Sequence, residues 1–368
     1  MKIAILGFTK VKYMPYLHFY LNQIDKSEND VHLIYWNRDE NQDAPMPEGV
    51  VGHSYDKNMD DSIPLRKKLP LLFGYGRYAK KIIKEIKPDF IIVLHSTTGV
   101  TVRGLLKHKY KKRYIFDYRD VTYERNFIYR KMVAKLVKNA ALTFTSSDGF
   151  RNFLPEGEEI LTSHNLTRDV LDNRETFRYK REGEKIRLAF WGLLRHYTVN
   201  KQIAERLGND DRFELHYYGR AQGAMAQFVE ESPKQYNNFF FHGEYKSADR
   251  LKFAAENSIV HNVYSNNDKS MPVAMANKYY DGPIFYLPQL CMTDSFMGKK
   301  ITNAGIGLEC NPADEDFADK IYEYYINLDF NSFFDNCDKE LEAVMQEVEF
   351  GEKRIKEVLD NAQKAKKN

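Results

Sequence analysis

The chain runs one pattern twice. Short apolar runs alternate with stretches of helical spacing, and each series opens on an apolar run that meets a glycine, KIAILGF at 2–8 and IRLAFWG at 186–192. Strand and helix signals in alternation pack as parallel strands joined by helical crossovers, with helices on both faces of the sheet. Two such series in 368 residues exceed what one core ordinarily holds, so two domains are expected.

In the first series the strand-like runs fall at 2–8, 31–36, 50–55, 89–96, 113–120 and 141–147, with helical spacing over 13–24, 75–86, 100–108 and 125–139. In the second they fall at 186–192, 213–218, 238–242, 258–264, 283–287 and 306–309, and the chain reads as helical from about 313 onward. Residues 41–64 read as a loop around the 50–55 strand, and the polar, aperiodic stretch 166–185 reads as a linker. The expected organisation is an α/β chain. A Rossmann-like domain over 1–165 and another over 186–345, each with a parallel sheet, face one another across a cleft, and a helical tail covers 346–368.

Composition excludes several classes. Hydrophobic residues at 43% and charged residues at 29% are those of a globular chain, and no apolar run is long enough to span a bilayer. The first ten residues read as a buried strand, and three widely spaced cysteines, Cys291, Cys310 and Cys337, suggest neither a disulfide framework nor a zinc site; a cytoplasmic location is the simplest expectation. The net charge of +3 is unevenly spread: residues 1–165 hold 27 Lys and Arg against 19 Asp and Glu, the remainder 28 against 33. A basic first half suggests an anionic partner there, and the mixture of cations with Leu, Phe and Tyr over 64–87 suits an anionic membrane surface, although Pro70, Gly74 and Gly76 are expected to break it into two pieces. An ordinary basic helix that packs its apolar face inward would read the same.

Ligands of doubly wound sheets bind beyond the carboxyl ends of the strands, which directs attention to a few positions. Gly7 and Phe8 follow the first strand, and Gly192 opens the turn after its counterpart; neither fits G-x-G-x-x-G, so a tightly held dinucleotide is not expected. Arg195 and Lys201 place two cations just past a strand end, where arginine can fork onto phosphate and lysine adds a point charge. Gly219-Arg220 and His242-Gly243-Glu244 follow further strands. Asn277-Lys278 and Asp281-Gly282 are read as the last turns of a helix that stops at Gly282; Asp281 there could accept two hydrogen bonds from a ribose diol, or could simply be an exposed helix-end carboxylate. In the first half, His95 at a strand end could orient or deprotonate a hydroxyl, and Asp120 is the other candidate base; a satisfied turn histidine and a loop cap or ion pair are the structural alternatives. Asp314-Glu315-Asp316 has the D-x-D form, but it sits at a helix start where acids are expected anyway, and no metal is assigned to it. No P-loop, zinc spacing or G-x-S-x-G elbow occurs.

Taken in order, Gly192, Arg195, Lys201, Gly219, His242, Gly243, Asn277, Lys278, Asp281, Gly282 and Pro283 resemble the donor domain of GT-B glycosyltransferases, especially the large retaining, family 4-like group that includes capsule and lipopolysaccharide enzymes. Asp117-Tyr118-Arg119-Asp120 with Glu124, and 145–150, look like the matching first-domain segments. The resemblance implies transfer of a sugar from a nucleotide-diphosphate-sugar donor, held by the second domain, to a hydroxyl acceptor in the first. Catalysis falls to His95, Asp120, Arg195 and Lys201. Gly192, Gly219, Arg220, His242, Gly243, Glu244, Asn277, Lys278 and Asp281 hold the donor, and Gly7 and Phe8 the acceptor. It implies neither cofactor nor metal, no nucleic acid partner, a saccharide or lipid-linked saccharide acceptor, and a peripheral place on the inner face of the plasma membrane through 64–87. The group often carries two glutamates eight positions apart; if Asp281 matches the second, the first is Val273, and the contact to the donor sugar is missing. The other reading is a catalytically silent nucleotide- or sugar-binding protein on the same fold.

Overall fold

A computed structural model describes residues 1–59, 63–166, 168–265 and 271–367. The chain forms two compact units, one of residues 1–165 and 345–368, the other of 166–344. The first unit runs β1 (Lys2–Leu6), α1 (Leu17–Leu21), β2 (Asp30–Asn37), β3 (Val50–Asp56), α2 (Leu65–Ile86), β4 (Phe90–Leu94), α3 (Ser96–His108), β5 (Tyr114–Tyr118), α4 (Phe127–Asn139), β6 (Leu142–Thr145) and β7 (Ile160–Thr162). Its seven strands pair in parallel in the order β3-β2-β1-β4-β5-β6-β7. The second unit runs β8 (Ile186–Trp191), α5 (Tyr197–Leu207), β9 (Phe213–Tyr218), α6 (Ala224–Gln235), β10 (Phe239–Gly243), α7 (Arg250–Glu256), β11 (Ile259–Asn262), α8 (Lys278–Phe285), β12 (Gln289–Met292), α9 (Phe296–Asn303), β13 (Gly307–Cys310) and α10 (Phe317–Ile326). Its six strands are also parallel, in the order β10-β9-β8-β11-β12-β13. Both sheets reverse direction of growth once, at β1/β4 and at β8/β11, and these reversals mark where a crevice opens at the carboxyl edge. The expected two Rossmann-like sheets are present.

The strands follow from composition. β4 and β5 are buried at all five positions, as a sheet covered on both faces requires. Helix starts are capped: Asn126 accepts from the amides of Ile128 and Tyr129 at α4, and Ser295 from that of Gly298 at α9.

Four expectations need correction. α2 is one helix of 22 residues rather than two pieces. Pro70 sits early in it, where the carbonyl it leaves unpaired belongs to exposed Arg66, while Gly76 is required because a Cβ there would press on Thr101 of α3. The stretch 166–185 is no linker: Arg168–Phe177 forms 3-10 turns, and buried Arg181 donates to the carbonyls of Ala254, Phe285 and Tyr286. One guanidinium thus satisfies carbonyls left open at the ends of α7 and α8. The tail over 346–368 is not separate. A last helix, α11 (Phe330–Lys367), passes through both units. In the first unit its Ile355 and Leu359 join the core and Arg354 pairs with Glu159 at 2.8 Å; in the second, Asp338 pairs with Arg174 and Arg178. Finally, residues 283–285 are helix, not strand, and the strand begins at Gln289.

That last shift has a local cause. Pro283 cannot donate the helical hydrogen bond to Tyr279, so the Gln289 side chain donates to that carbonyl at 3.0 Å and accepts from Asn262 at 2.8 Å. Gly282 is the residue a Cβ could not join, because it would overlap the Gln289 amide.

Candidate donor site and the carboxyl edge of the first sheet

At the carboxyl edge of the second sheet, β8 and β9 end in glycines with left-handed backbone, Gly192 at φ 117° and Gly219 at φ 132°. A Cβ on Gly219 would overlap the Gly192 carbonyl, so only glycine lets the two turns lie together. Gly192 donates to the Tyr218 carbonyl at 3.0 Å and Leu194 to that of Arg220 at 2.9 Å, so the turns run as a pair. Asn200 in α5 holds the next turn by donating to the Arg195 carbonyl at 2.7 Å.

Over this bare backbone lies Lys278. Its ammonium would stand 3.7 Å from a Cβ at Gly192, and it rests 4.1 Å from the centroid of the Phe190 ring. It makes no hydrogen bond or ion pair among the described residues. Burial, with the Arg195 cation adding to it against the pull of Asp281, lowers its pKa to about 8. An ammonium held in this way, over backbone that carries no side chain, is placed for an anion.

Asp281 is not at a helix end. α8 begins at Lys278, so Asp281 lies in the first turn, where the helix dipole favours a carboxylate. It is buried. Trp191 Nε1–H donates to one carboxylate oxygen at 2.7 Å and Arg250 to the other at 3.2 Å. Burial raises its pKa, opposed by Arg250, Trp191 and Lys278. Its oxygens brace the end of β8 and the start of α7, so the carboxylate stands behind the site rather than as an open ribose acceptor.

The sequence reading brings together Gly192, Gly219, Arg195, Lys278 and Asp281, and separates others. Lys201 is exposed beside Glu205 and lines a groove between α5 and α6 with Tyr197, Phe228, Glu231 and Tyr236. His242 turns onto the sheet face, 3.0 Å from His216 and stacked on Tyr218 at 4.2 Å. Gly243, at φ 75°, accepts from Gly219 at 2.6 Å, whereas Arg220, Glu244 and Asn277 are exposed. Val273 closes the single turn Met271–Val273; residues 266–270 of the preceding polar loop lie outside the described residues. Sequence reasoning missed Trp191 and Arg250, whose pairing with Asp281 spans 90 and 31 positions and leaves no local pattern.

In the first unit, His95 stacks on Phe8 with ring centroids 4.7 Å apart, and the Arg38 guanidinium lies over Phe8 at 5.4 Å. His95 caps α3: its Nδ1 accepts from the Thr97 amide at 3.2 Å, at the cost of a positive φ of 86°. The proton therefore resides on Nε2. Burial, Arg38 and Arg119 lower its pKa to about 3, so His95 is a neutral donor and a poor base. Gly7 is closed off, because its amide donates to Ile34 and its carbonyl accepts from Tyr75. Asp120 is exposed in the loop after β5. Behind this edge lies a buried carboxylate that sequence reasoning did not single out: Asp117 accepts from Tyr20 at 2.6 Å and Arg119 at 3.2 Å, and Arg119 reaches on to Ser163 and Asn165.

Among the described residues no group of three or more His, Cys, Asp or Glu is placed to hold a metal ion. Asp314 and Asp316 lie 3.4 and 3.0 Å from Lys320. No described helix is long and apolar enough to cross a membrane.

Two parallel-sheet Rossmann-like units, seven and six strands with a helical C-terminal region, define the GT-B fold, and solved structures agree. The sucrose-phosphate synthase of Thermosynechococcus elongatus superposes with a TM-score of 0.65 at 11% identity, covering 99% of this chain and 98% of that one. HepE of Anabaena in complex with UDP superposes with 0.66 at 13%, covering 98% and 100%, and a glycosyltransferase of Rickettsia africae with 0.60 at 12%, covering 98% and 99%. In sequence, 138 residues are 27% identical to the UDP-N-acetylglucosamine–N-acetylmuramyl-(pentapeptide) pyrophosphoryl-undecaprenol N-acetylglucosamine transferase of Geotalea daltonii. That match spans 37% of this chain and 36% of that enzyme. No protein-family model matches the chain.

Proposed function

We propose that this chain is a glycosyltransferase that takes a sugar from a nucleoside-diphosphate donor held by the second unit and passes it to a hydroxyl acceptor at the first. The observation that carries this reading is Lys278, whose ammonium has no hydrogen bond or ion pair among the described residues and lies over the bare backbone of Gly192. A diphosphate there would meet Lys278 and Arg195 over the side-chain-free turn at Gly192, and charge on the leaving diphosphate would be met by these cations without a metal. Trp191, Asp281 and Arg250 would keep that floor in place. At the acceptor, His95 would orient a hydroxyl by donating from Nε2. Neighbours solved with UDP support a uridine donor, and the curated relative's pyrophosphoryl-undecaprenol substrate supports a lipid-linked saccharide acceptor. A role in bacterial surface polysaccharide synthesis at the inner face of the plasma membrane, with retention of configuration, is the fuller form of the proposal.

Melting curves with UDP, GDP, ADP and CDP test it. One of them should raise Tm at saturation, by the linkage between binding and stability. A flat response to all four would remove the donor assignment. The alternative, a silent binding protein, draws on Val273 in the expected sugar-contact position and on the weak basicity of His95. Slow hydrolysis of the stabilising nucleotide's sugar conjugate would count against it.

A further inference from the structure

α2, α3 and α4 follow β3, β4 and β5 and pack side by side on one face of the first sheet, Gly76 of α2 against Thr101 of α3 and Gly99 of α3 against Leu136 of α4. Together they carry 13 Lys and Arg and one acid, Glu85, which pairs with Lys81. The crowding is felt: the pKa of Lys80 is lowered by burial, by Arg103 across the α2–α3 seam and by Lys84 on its own helix.

The same layer exposes large apolar side chains. Phe127 and Ile128 in the first turn of α4 are 66% and 68% exposed, and Phe73 of α2 is 60% exposed. Leu65 and Leu69 continue the Phe73 stripe at helical spacing. Lys131 rests its ammonium 4.2 Å over the Phe127 ring. Phe127 and Ile128 begin α4 and Leu65 begins α2, so these residues gather toward the carboxyl edge of the sheet, the edge that carries Phe8 and His95.

We propose that the α2–α3–α4 layer is a docking face for an anionic lipid bilayer, with Leu65, Leu69, Phe73, Phe127 and Ile128 entering the headgroup region and the cations meeting lipid phosphates. Basic helices with exposed aromatic and aliphatic side chains bind interfaces by area and charge together. A nucleic acid would match the cations but offers nothing to Leu65, Leu69 and Ile128, which is why the bilayer is favoured. The surface extends the 64–87 stretch to two further helices. Its service to a lipid-linked acceptor rests on the transferase reading, whereas its affinity for lipid does not.

Co-sedimentation of the full chain tests it. The protein should pellet with vesicles that contain phosphatidylglycerol and not with pure phosphatidylcholine, and added salt should weaken the binding. Phe73→Ser/Phe127→Ser/Ile128→Ser, all exposed positions, should weaken it by about tenfold, and Arg130→Glu/Lys131→Glu should weaken it and flatten the salt dependence. Failure to pellet with anionic vesicles overturns the proposal. So does a triple serine variant that binds like the wild type, or binding to duplex DNA that exceeds vesicle binding and survives the triple change. The nucleotide-induced rise in Tm, read on the same samples, keeps the two proposals apart. A rise that persists while lipid binding is absent fails the docking face alone, and lipid binding without any rise fails the donor site alone.

Discussion

The carboxyl edges of the two sheets are built on the same device and finished differently. Each has a buried aspartate that joins an aromatic donor to an arginine: Asp117 with Tyr20 and Arg119 in the first, Asp281 with Trp191 and Arg250 in the second. The first edge is then covered by the Phe8–His95 stack, whereas the second is left as glycine backbone under an ammonium that has no ion pair among the described residues. The shared carboxylate is therefore scaffold, and the difference between the edges lies in what is laid over it. An aromatic cover with a neutral imidazole suits a hydroxyl-bearing partner; a glycine floor under an ammonium suits a diphosphate.

The largest effects should come from the shared device. Asp117→Ala and Asp281→Ala each remove the buried carboxylate that an arginine and an aromatic donor share, and each should lower the free energy of unfolding by about 3–5 kcal/mol. Only Asp281→Ala should also abolish nucleotide stabilisation; loss of that response in Asp117→Ala would break the division of labour. Next comes Gly219→Ala, which collides with the Gly192 carbonyl and should cost about 1–3 kcal/mol or more in denaturant unfolding. Lys278→Met should leave stability unchanged or raise it, because it removes a desolvated cation that has no ion pair among the described residues, yet weaken nucleotide binding about tenfold or more. Unweakened binding would show that the ammonium is not the anion's partner.

Two pH responses sharpen the contrast further. Lys278 loses its proton as pH rises through about 8, so calorimetric affinity for the nucleotide should fall from neutral pH to pH 9, with proton uptake on binding near the midpoint. The smallest effect concerns His261, fully buried with neither ring nitrogen hydrogen-bonded among the described residues and a pKa lowered to about 3 by burial. The unfolded chain binds that proton below about 6.5 and the folded chain does not until about 3, so stability is lost as pH falls through this window. His261→Leu should flatten the acid limb and add about 1 kcal/mol at neutral pH; an unchanged acid limb would remove His261 as a cause.

Much of the fold was legible because parallel strands buried on both faces announce themselves as apolar runs. The misreadings occurred where a distant side chain overrode the local signal. Gly282-Pro283 looks like a helix stop, and it would be one without Gln289. The polar stretch 166–185 looks like a linker because nothing in it reveals that Arg181 is bound for the ends of α7 and α8. In the candidate site, the glycines at 192 and 219 were legible because strand-end position is local information, whereas Lys278 was read near the end of a helix that it begins. Lys201 was misplaced because helical phase, not distance along the chain, decided which side of α5 it occupies. Trp191 and Arg250 were missed because their partner is remote in sequence.

The Gln289 amide ties Asn262, Gly282 and Pro283 into one closed set. Across evolution such a set should behave as a single character. A lineage that replaces Pro283 restores the helical amide and frees Gln289 to vary, after which Gly282 can acquire a side chain. A lineage that keeps the proline must keep the other three, so among related sequences these four positions should change as a block or stand together.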